Sequence, residues 1–286
     1  MQKIGNITPT ANANGEWTNG NVAAGTAPTI LDAAWLNTVQ RELINVITAA
    51  GLTLDPNNDA QLLAALKVGI GPGRLLGVRI FTASGTYTPT AGTSSIVVEL
   101  LGGGGAGGGI PTAPSAGTAG GGGGGGGYGR KRITSGFSGV TVTVGVGGTG
   151  VVNGAGGAGG ASSFGALMTA GGGGGGGVGS TTTSSVIPVG VQGAGGTTTL
   201  ADVSRNGGSG GTGLISSTFA QGGVGGDTAY APQTRSNTII ATAVSSGNSA
   251  SANTGAGGTS ALGLNSGTGA SGGAGGSGLC IVWEYA

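Results

Sequence analysis

Glu99, Asp202, Asp227 and Glu284 are the only carboxylate side chains after residue 74, and they are the nearest thing in the sequence to a reactive set. Glycoside cleavage needs two such groups facing each other across the scissile bond. These four are isolated from one another along the chain, so no local pattern supports that chemistry. The absence of histidine removes the nucleophile–histidine pair and the histidine metal site, and the single Cys280 removes a thiolate zinc site and any internal disulfide framework. Cys280 reads as a small apolar residue of a terminal strand. Gly-x-G-x-x-Gly matches recur, but without the strand–glycine–helix context of a nucleotide site they follow from composition. The cluster Arg130-Lys131-Arg132 lies inside an expected strand, and a formal net charge of +1 offers no footprint for nucleic acid or an anionic membrane. Neither catalytic residues, metal nor cofactor is expected, and the chain reads as a non-enzyme.

Recognition is the chemistry that remains. Ser, Thr, Asn and Gln are abundant, and a few aromatics, Tyr128, Phe164, Phe219 and Tyr230, stand among them. Short polar groups beside ring faces suit sugar surfaces. The longest glycine-poor polar loop runs from Gly222 to Asn237, and its Asp227, Tyr230, Gln233 and Arg235 are the candidate receptor-binding residues. A loop can vary in sequence without disturbing the scaffold that carries it.

That scaffold must be built largely from glycine. Of 73 glycines, 62 lie from Leu101 onward, one residue in three. Collagen is excluded because the register is broken by stretches such as Ser216-Ser217-Thr218-Phe219-Ala220-Gln221 and the nine prolines are scattered. Whole-region disorder is disfavoured by interleaved β-branched runs such as Ser95–Leu101 and Val140–Val144 and by a mean hydropathy of +0.23. Three tracts, 102–109, 120–127 and 171–177, are the pivot. Polyglycine can adopt a threefold extended helix with three residues per turn, and without Cβ atoms such helices can lie close and hydrogen-bond to each other. The 120–127 tract is expected to partner the other two and to hold the recognition loops in place. Apolar runs predict strands at 75–82, 94–101, 128–133, 139–146, 162–170, 184–191, 197–203, 213–219, 237–244 and 279–285, with the last closing the sheet beside an early one. The fold class expected is mainly β, a glycine-rich antiparallel sandwich-like domain over residues 74–286 that accommodates polyglycine II segments.

Ahead of it, residues 1–28 read as an extended arm in which Trp17 is an anchor for a partner. Residues 29–73 read as a helical anchor and trimerisation module. The first helix begins at a Thr29 or Asp32 cap and stops at Gly51. Leu36, Val39, Leu43, Val46 and Ala50 repeat at heptad spacing, and Trp35, Ile44 and Ile47 widen the stripe. With only a second short helix over 59–67 to cover it, the stripe is expected to be met partly by neighbouring subunits. The boundary falls at Gly69–Gly73. The first residues lack the apolar run of a signal peptide and no stretch reaches membrane-span length, so assembly in a cytoplasm is expected.

Two sets of motifs point to one family. Ile30-Leu31-Asp32-Ala33-Ala34-Trp35-Leu36-Asn37-Thr38-Val39-Gln40-Arg41-Glu42, followed by Ala50-Gly51-Leu52 and Asp59-Ala60-Gln61-Leu62-Leu63-Ala64-Ala65-Leu66, resembles the N-terminal module of tailed-bacteriophage tail fibre proteins. The remainder, through Tyr128-Gly129, Val142-Thr143-Val144-Gly145, Ser162-Ser163-Phe164-Gly165 and the closing Ile281-Val282, Glu284-Tyr285, is similar to glycine-rich C-terminal domains of phage fibres and receptor-binding adhesins. The resemblance implies a homotrimeric virion protein. Its N-terminus would attach to phage tail or baseplate proteins and its C-terminal domain to a bacterial surface receptor, a polysaccharide, a pilus or an outer-membrane protein. Tail-attachment and trimer contacts would fall on Trp17, Trp35, Leu36, Val39, Leu43 and Val46. Long fibres carry a β-helical shaft that this chain lacks, which points to a short tail-tip fibre. A structural tail-tip or baseplate component without a receptor, or the fibre of a phage-tail-like bacteriocin, shares these features.

Overall fold

A computed structural model describes residues 2–70, 73–183 and 186–286. Gly71 and Pro72, within the expected boundary, and Ser184 and Ser185, at the start of an expected strand, lie outside the described residues. The chain divides into two compact units, Met1–Arg74 and Leu75–Ala286.

The first unit is built on helix α1 (Ala33–Ala49) and helix α2 (Gln61–Ile70). The Asp32 carboxylate accepts from the Ala34 amide at 2.7 Å, which satisfies one free N–H of the first turn, and Gly51 ends α1 in the left-handed region with φ +75°. Ile47 and Ala65 are the buried residues of the two helices. Residues 2–28 contain 3-10 turns at Ile4–Asn6 and Val22–Ala24 and return onto the start of α1. Thr29 Oγ1 donates to the Thr10 carbonyl at 2.9 Å, and Trp35 Nε1 donates to the Gln2 carbonyl at 3.1 Å.

The second unit is mainly β, antiparallel and sandwich-like, as its alternating runs imply, but its sandwich is split in two. One half packs a five-stranded sheet on another. The first has the order Leu75–Phe81, Leu279–Tyr285, Ser95–Leu101, Tyr128–Ile133, Val203–Arg205. The second has Thr198–Thr199, Met168–Ala170, Ser162–Phe164, Thr141–Thr143, Gly85–Thr86. Ile96, Val98 and Leu100 alternate inward and meet Val282, Phe164, Met168 and Tyr87 in one core. The C-terminal strand lies between two early strands, Leu75–Phe81 and Ser95–Leu101. The other half is smaller. Ala119, Leu262 and Leu264 of one four-stranded sheet close on Val189, Ile215 and Ala220 of another.

Glycine segments run between the two halves, since the chain leaves one sheet pair, crosses, and enters the other repeatedly. Each inner tract hydrogen-bonds with a step of three. In 102–109, Gly102, Gly105 and Gly108 donate to Gly127, Gly124 and Gly121; Gly103, Ala106 and Gly109 donate to Gly160, Gly157 and Gly154; Gly104 and Gly107 donate to Gly276 and Gly273, all at 2.8–2.9 Å. Tract 120–127 repeats the pattern: Gly121, Gly124 and Gly127 donate to Gly177, Gly174 and Gly171, Gly122 and Gly125 to Gly211 and Gly208, and Gly123 and Gly126 to Gly258 and Gly255. Three donor directions per turn make these threefold polyglycine II helices. The carbonyls are used as well, so that the two tracts form the inside of a bundle. The 120–127 tract does partner 102–109 and 171–177, and other glycine segments besides.

Several expected strands prove shorter than drawn. The run 139–146 keeps only Thr141–Thr143, because the chain from Gly145 onward joins the bundle. The run 162–170 is a hairpin turning at Gly165, whose φ is +51°. Strands Ala113–Ala119 and Leu262–Ser266 are unexpected. Their residues are poor in β-branched side chains, and they pair where the bundle delivers them.

Candidate functional site

The loop from Asp227 to Arg235 is where exposed, chemically varied side chains gather. Its base is closed by backbone bonds, Gly225 N–H to the Thr234 carbonyl at 3.0 Å and Gly222 N–H to the Asn237 carbonyl at 3.2 Å. Within it, Thr228 N–H donates to the Ala231 carbonyl at 2.9 Å, while the Thr228 hydroxyl donates to the Thr254 carbonyl at 2.7 Å and accepts from the amides of Tyr230 and Ala231. The turn is thus fixed by a threonine hydroxyl acting on backbone, the local chemistry that favours such residues in loops.

Tyr230 leaves its loop neighbours and reaches the five-stranded sheet. Its hydroxyl donates to Glu99 Oε2 at 2.6 Å, and Tyr128 donates to the same oxygen at 3.2 Å. The rings meet edge-on with centroids 5.9 Å apart. Arg130 Nε stands 3.9 Å from Glu99 Oε1. Both phenols titrate above the ordinary tyrosine value, chiefly through burial and then through the bond to Glu99 and its negative charge, so both remain donors in neutral solution.

Asp227, Gln233 and Arg235 stay together. With Val224 and Pro232 they line an open depression of about 480 Å³. Asp227 Oδ2 receives Arg205 Nη2 at 2.6 Å, and Arg205 Nη1 donates to the Thr228 carbonyl at 3.0 Å. Across the Pro232–Gln233 ridge lies a second depression of about 230 Å³, lined by Thr234, Ser249, Ser251 and Thr254.

Of the four candidate receptor residues, the structure therefore brings three into one depression and sends Tyr230 to brace the loop. Glu99 and Arg205 had no local sequence signal, because they lie on other strands and meet the loop only in the fold. Phe164 is not a surface platform: it is fully buried against Tyr87 in the larger core. The four carboxylates are each engaged separately. Asp202 accepts from the Arg132 amide at 2.8 Å. Glu284 is buried, with the Tyr87 hydroxyl at 2.8 Å and the Thr90 hydroxyl at 2.6 Å.

The second candidate surface is on α1. Leu36, Leu43 and Val46 are exposed and Val39 and Trp35 half-buried in the single chain. Trp17 packs edge-on against Trp35 with centroids 5.4 Å apart. Ile47, one turn on from Leu43 and flanking the heptad stripe, is the α1 residue buried within the unit, so the chain covers one edge of the stripe and leaves Leu36, Leu43 and Val46 exposed.

In a comparison with known families, the sequence model described as a glycine-rich domain matches residues 82–285. A comparison with curated protein sequences gave no match.

Proposed function

The chain belongs to the glycine-rich domain family; within that frame, and on the geometry of its loop and its N-terminal stripe, we propose that it is a phage tail fibre, a receptor-binding protein that attaches a virion to a bacterial surface. The observation that carries this reading is the contrast between a bundle almost without side chains and one loop, 227–235, that presents Asp227, Pro232, Gln233 and Arg235 around open depressions. A rigid support beneath a side-chain-rich loop is the arrangement that recognition of a surface requires. The N-terminal unit supplies assembly. Its exposed Leu36, Leu43 and Val46 stripe at heptad spacing fits a homotrimer on a phage tail or baseplate, with Trp17 and Trp35 beside it. The particle would carry it at the tail tip, after assembly in the host cytoplasm.

Adsorption tests the reading. Purified full chain should compete with virions for susceptible cells and label their surface. Failure to label or protect any susceptible strain, by a chain that still associates, assigns it instead to the structural components of a tail tip or baseplate. Sedimentation of the full chain tests the assembly: the expected mass is three chains, and a monomer at all concentrations removes the trimer.

A further inference from the structure

We infer that the depression lined by Asp227, Gln233 and Arg235 takes the anionic group, carboxylate or phosphate, of an acidic saccharide on the Arg235 guanidinium; the inference rests on the receptor-binding reading above. Charge decides it. Asp227 is neutralised within the protein by Arg205, whose Nη2 lies 2.6 Å from Oδ2. Arg235 has its backbone carbonyl held by Asn248 Nδ2 at 2.8 Å, while its exposed guanidinium meets no acidic partner among the described residues. Of the two charged residues that line the depression, Asp227 is paired with Arg205 from outside the lining, so the uncompensated charge is the positive one of Arg235.

A guanidinium offers a planar fork of N–H donors that fits a carboxylate or a phosphate through two parallel bonds. Beside it the Gln233 amide supplies both a donor and an acceptor for ring hydroxyls, and Val224 and Pro232 supply apolar faces. The neighbouring depression contains Thr234, Ser249, Ser251 and Thr254 and no charged side chain. A saccharide lying over the Pro232–Gln233 ridge would therefore place an acidic residue on one side and a neutral residue on the other. The site is open to solvent, so its affinity falls with salt.

The test uses the full chain and follows the arginine Nε–Hε signals by nuclear magnetic resonance during titration with trigalacturonic acid, mannose 6-phosphate and maltotriose. At least one acidic sugar should shift the Arg235 signal saturably, and which one responds identifies carboxylate or phosphate. Maltotriose should leave that signal in place. Arg235→Gln should weaken binding at least tenfold with unchanged thermal unfolding, and Arg235→Lys should restore part of it. Equal binding of maltotriose, no movement of Arg235 with either acidic sugar, or undiminished binding by Arg235→Gln overturns the inference. Cell adsorption separates the two proposals. Wild type and Arg235→Gln adsorbing equally would remove the Arg235 assignment and leave receptor binding standing. Saturable acidic-sugar binding by a chain that adsorbs to no cell would keep the assignment and remove the receptor.

Discussion

The inner glycine tracts and the loop at 227–235 sit in one compact unit and obey opposite rules. In 102–109 and 120–127 the backbone is both structure and contact: almost every amide donates to a different segment and no side chain larger than Ala106 is present. In the loop the backbone is tied at a few points and the side chains carry the variety. Glycine has the largest ordering cost of any residue. It is offset here by saturating N–H and C=O groups on all sides, which only closely approaching backbones permit. The comparison teaches where variation is allowed: the inner tracts of this bundle hold no side chain larger than the methyl of Ala106, so recognition chemistry is confined to loops at its ends and to the sheets that cap it.

The sharpest way to break that comparison is one methyl group. A Cβ on Gly122 would lie 1.8 Å from the Val224 carbonyl oxygen, and the obstacle is backbone that is itself held in the bundle. Gly122→Ala should cost more than about 5 kcal/mol, beyond ordinary overpacking, and leave no folded second unit in urea titration. Gly267 has nothing within 4 Å of the same position and no left-handed φ. Gly267→Ala should be neutral or stabilising by about 0.5 kcal/mol. Equal effects at the two sites would mean that the close packing does not govern stability.

The larger cap provides the next test, because its stability comes from side chains. Phe164 is fully buried against Tyr87, with ring centroids 5.5 Å apart. Phe164→Ala should cost about 3–5 kcal/mol. Since the glycine segments connect both caps, the variant should still unfold in one transition when fluorescence and circular dichroism are compared. Two transitions would show that the bundle links the caps without coupling them.

What could be read from the sequence follows the same division. Side-chain patterns announced Ser95–Leu101, Tyr128–Ile133 and Leu279–Tyr285, because Ile96-Val97-Val98 and Ile281-Val282 alternate faces. Asp32 and Gly51 announced the ends of α1. The direction and partners of most glycine segments were not legible, since a residue without a side chain carries no facial pattern. Ala113–Ala119 and Leu262–Ser266 became strands through that hidden geometry. In the site, Asp227, Gln233 and Arg235 were legible as a polar interruption of glycine. Glu99 and Arg205 were not, because their relation to the loop exists only after the chain has crossed the bundle several times.

Glu284 sharpens the comparison through pH. Burial alone would raise its pKa, but hydrogen bonds from the Thr90 hydroxyl and amide and the Tyr87 hydroxyl outweigh burial and hold it below the usual value of 4.5. A depressed folded pKa means the carboxylate stabilises the cap above the unfolded value, and that contribution is lost as pH falls through the folded one. Stability measured by urea should therefore drop from about pH 4.5 downward. Glu284→Gln should lower stability by about 2 kcal/mol at pH 7 and flatten this acid limb. An unchanged limb would place the acid sensitivity elsewhere.

The smallest expected effect concerns how the loop is held. Tyr230→Phe keeps the ring beside Tyr128 but removes the hydroxyl that donates to Glu99 at 2.6 Å. Glu99 retains Tyr128 at 3.2 Å and the partly exposed Arg130, and water can take the vacated acceptor position. Global stability should fall by less than about 1 kcal/mol, as for an exposed polar contact. Local opening should respond more than the whole: amides of 227–235 should exchange faster with solvent, while those of 102–109 and 120–127 keep their protection. If the loop amides are unaffected, the Thr228 turn and its bond to the Thr254 carbonyl suffice to hold the loop, and the tyrosine pair serves the surface rather than the support. If the glycine tracts also lose protection, loop and bundle open as one body, and the division between a fixed interior and a separately adjustable rim fails.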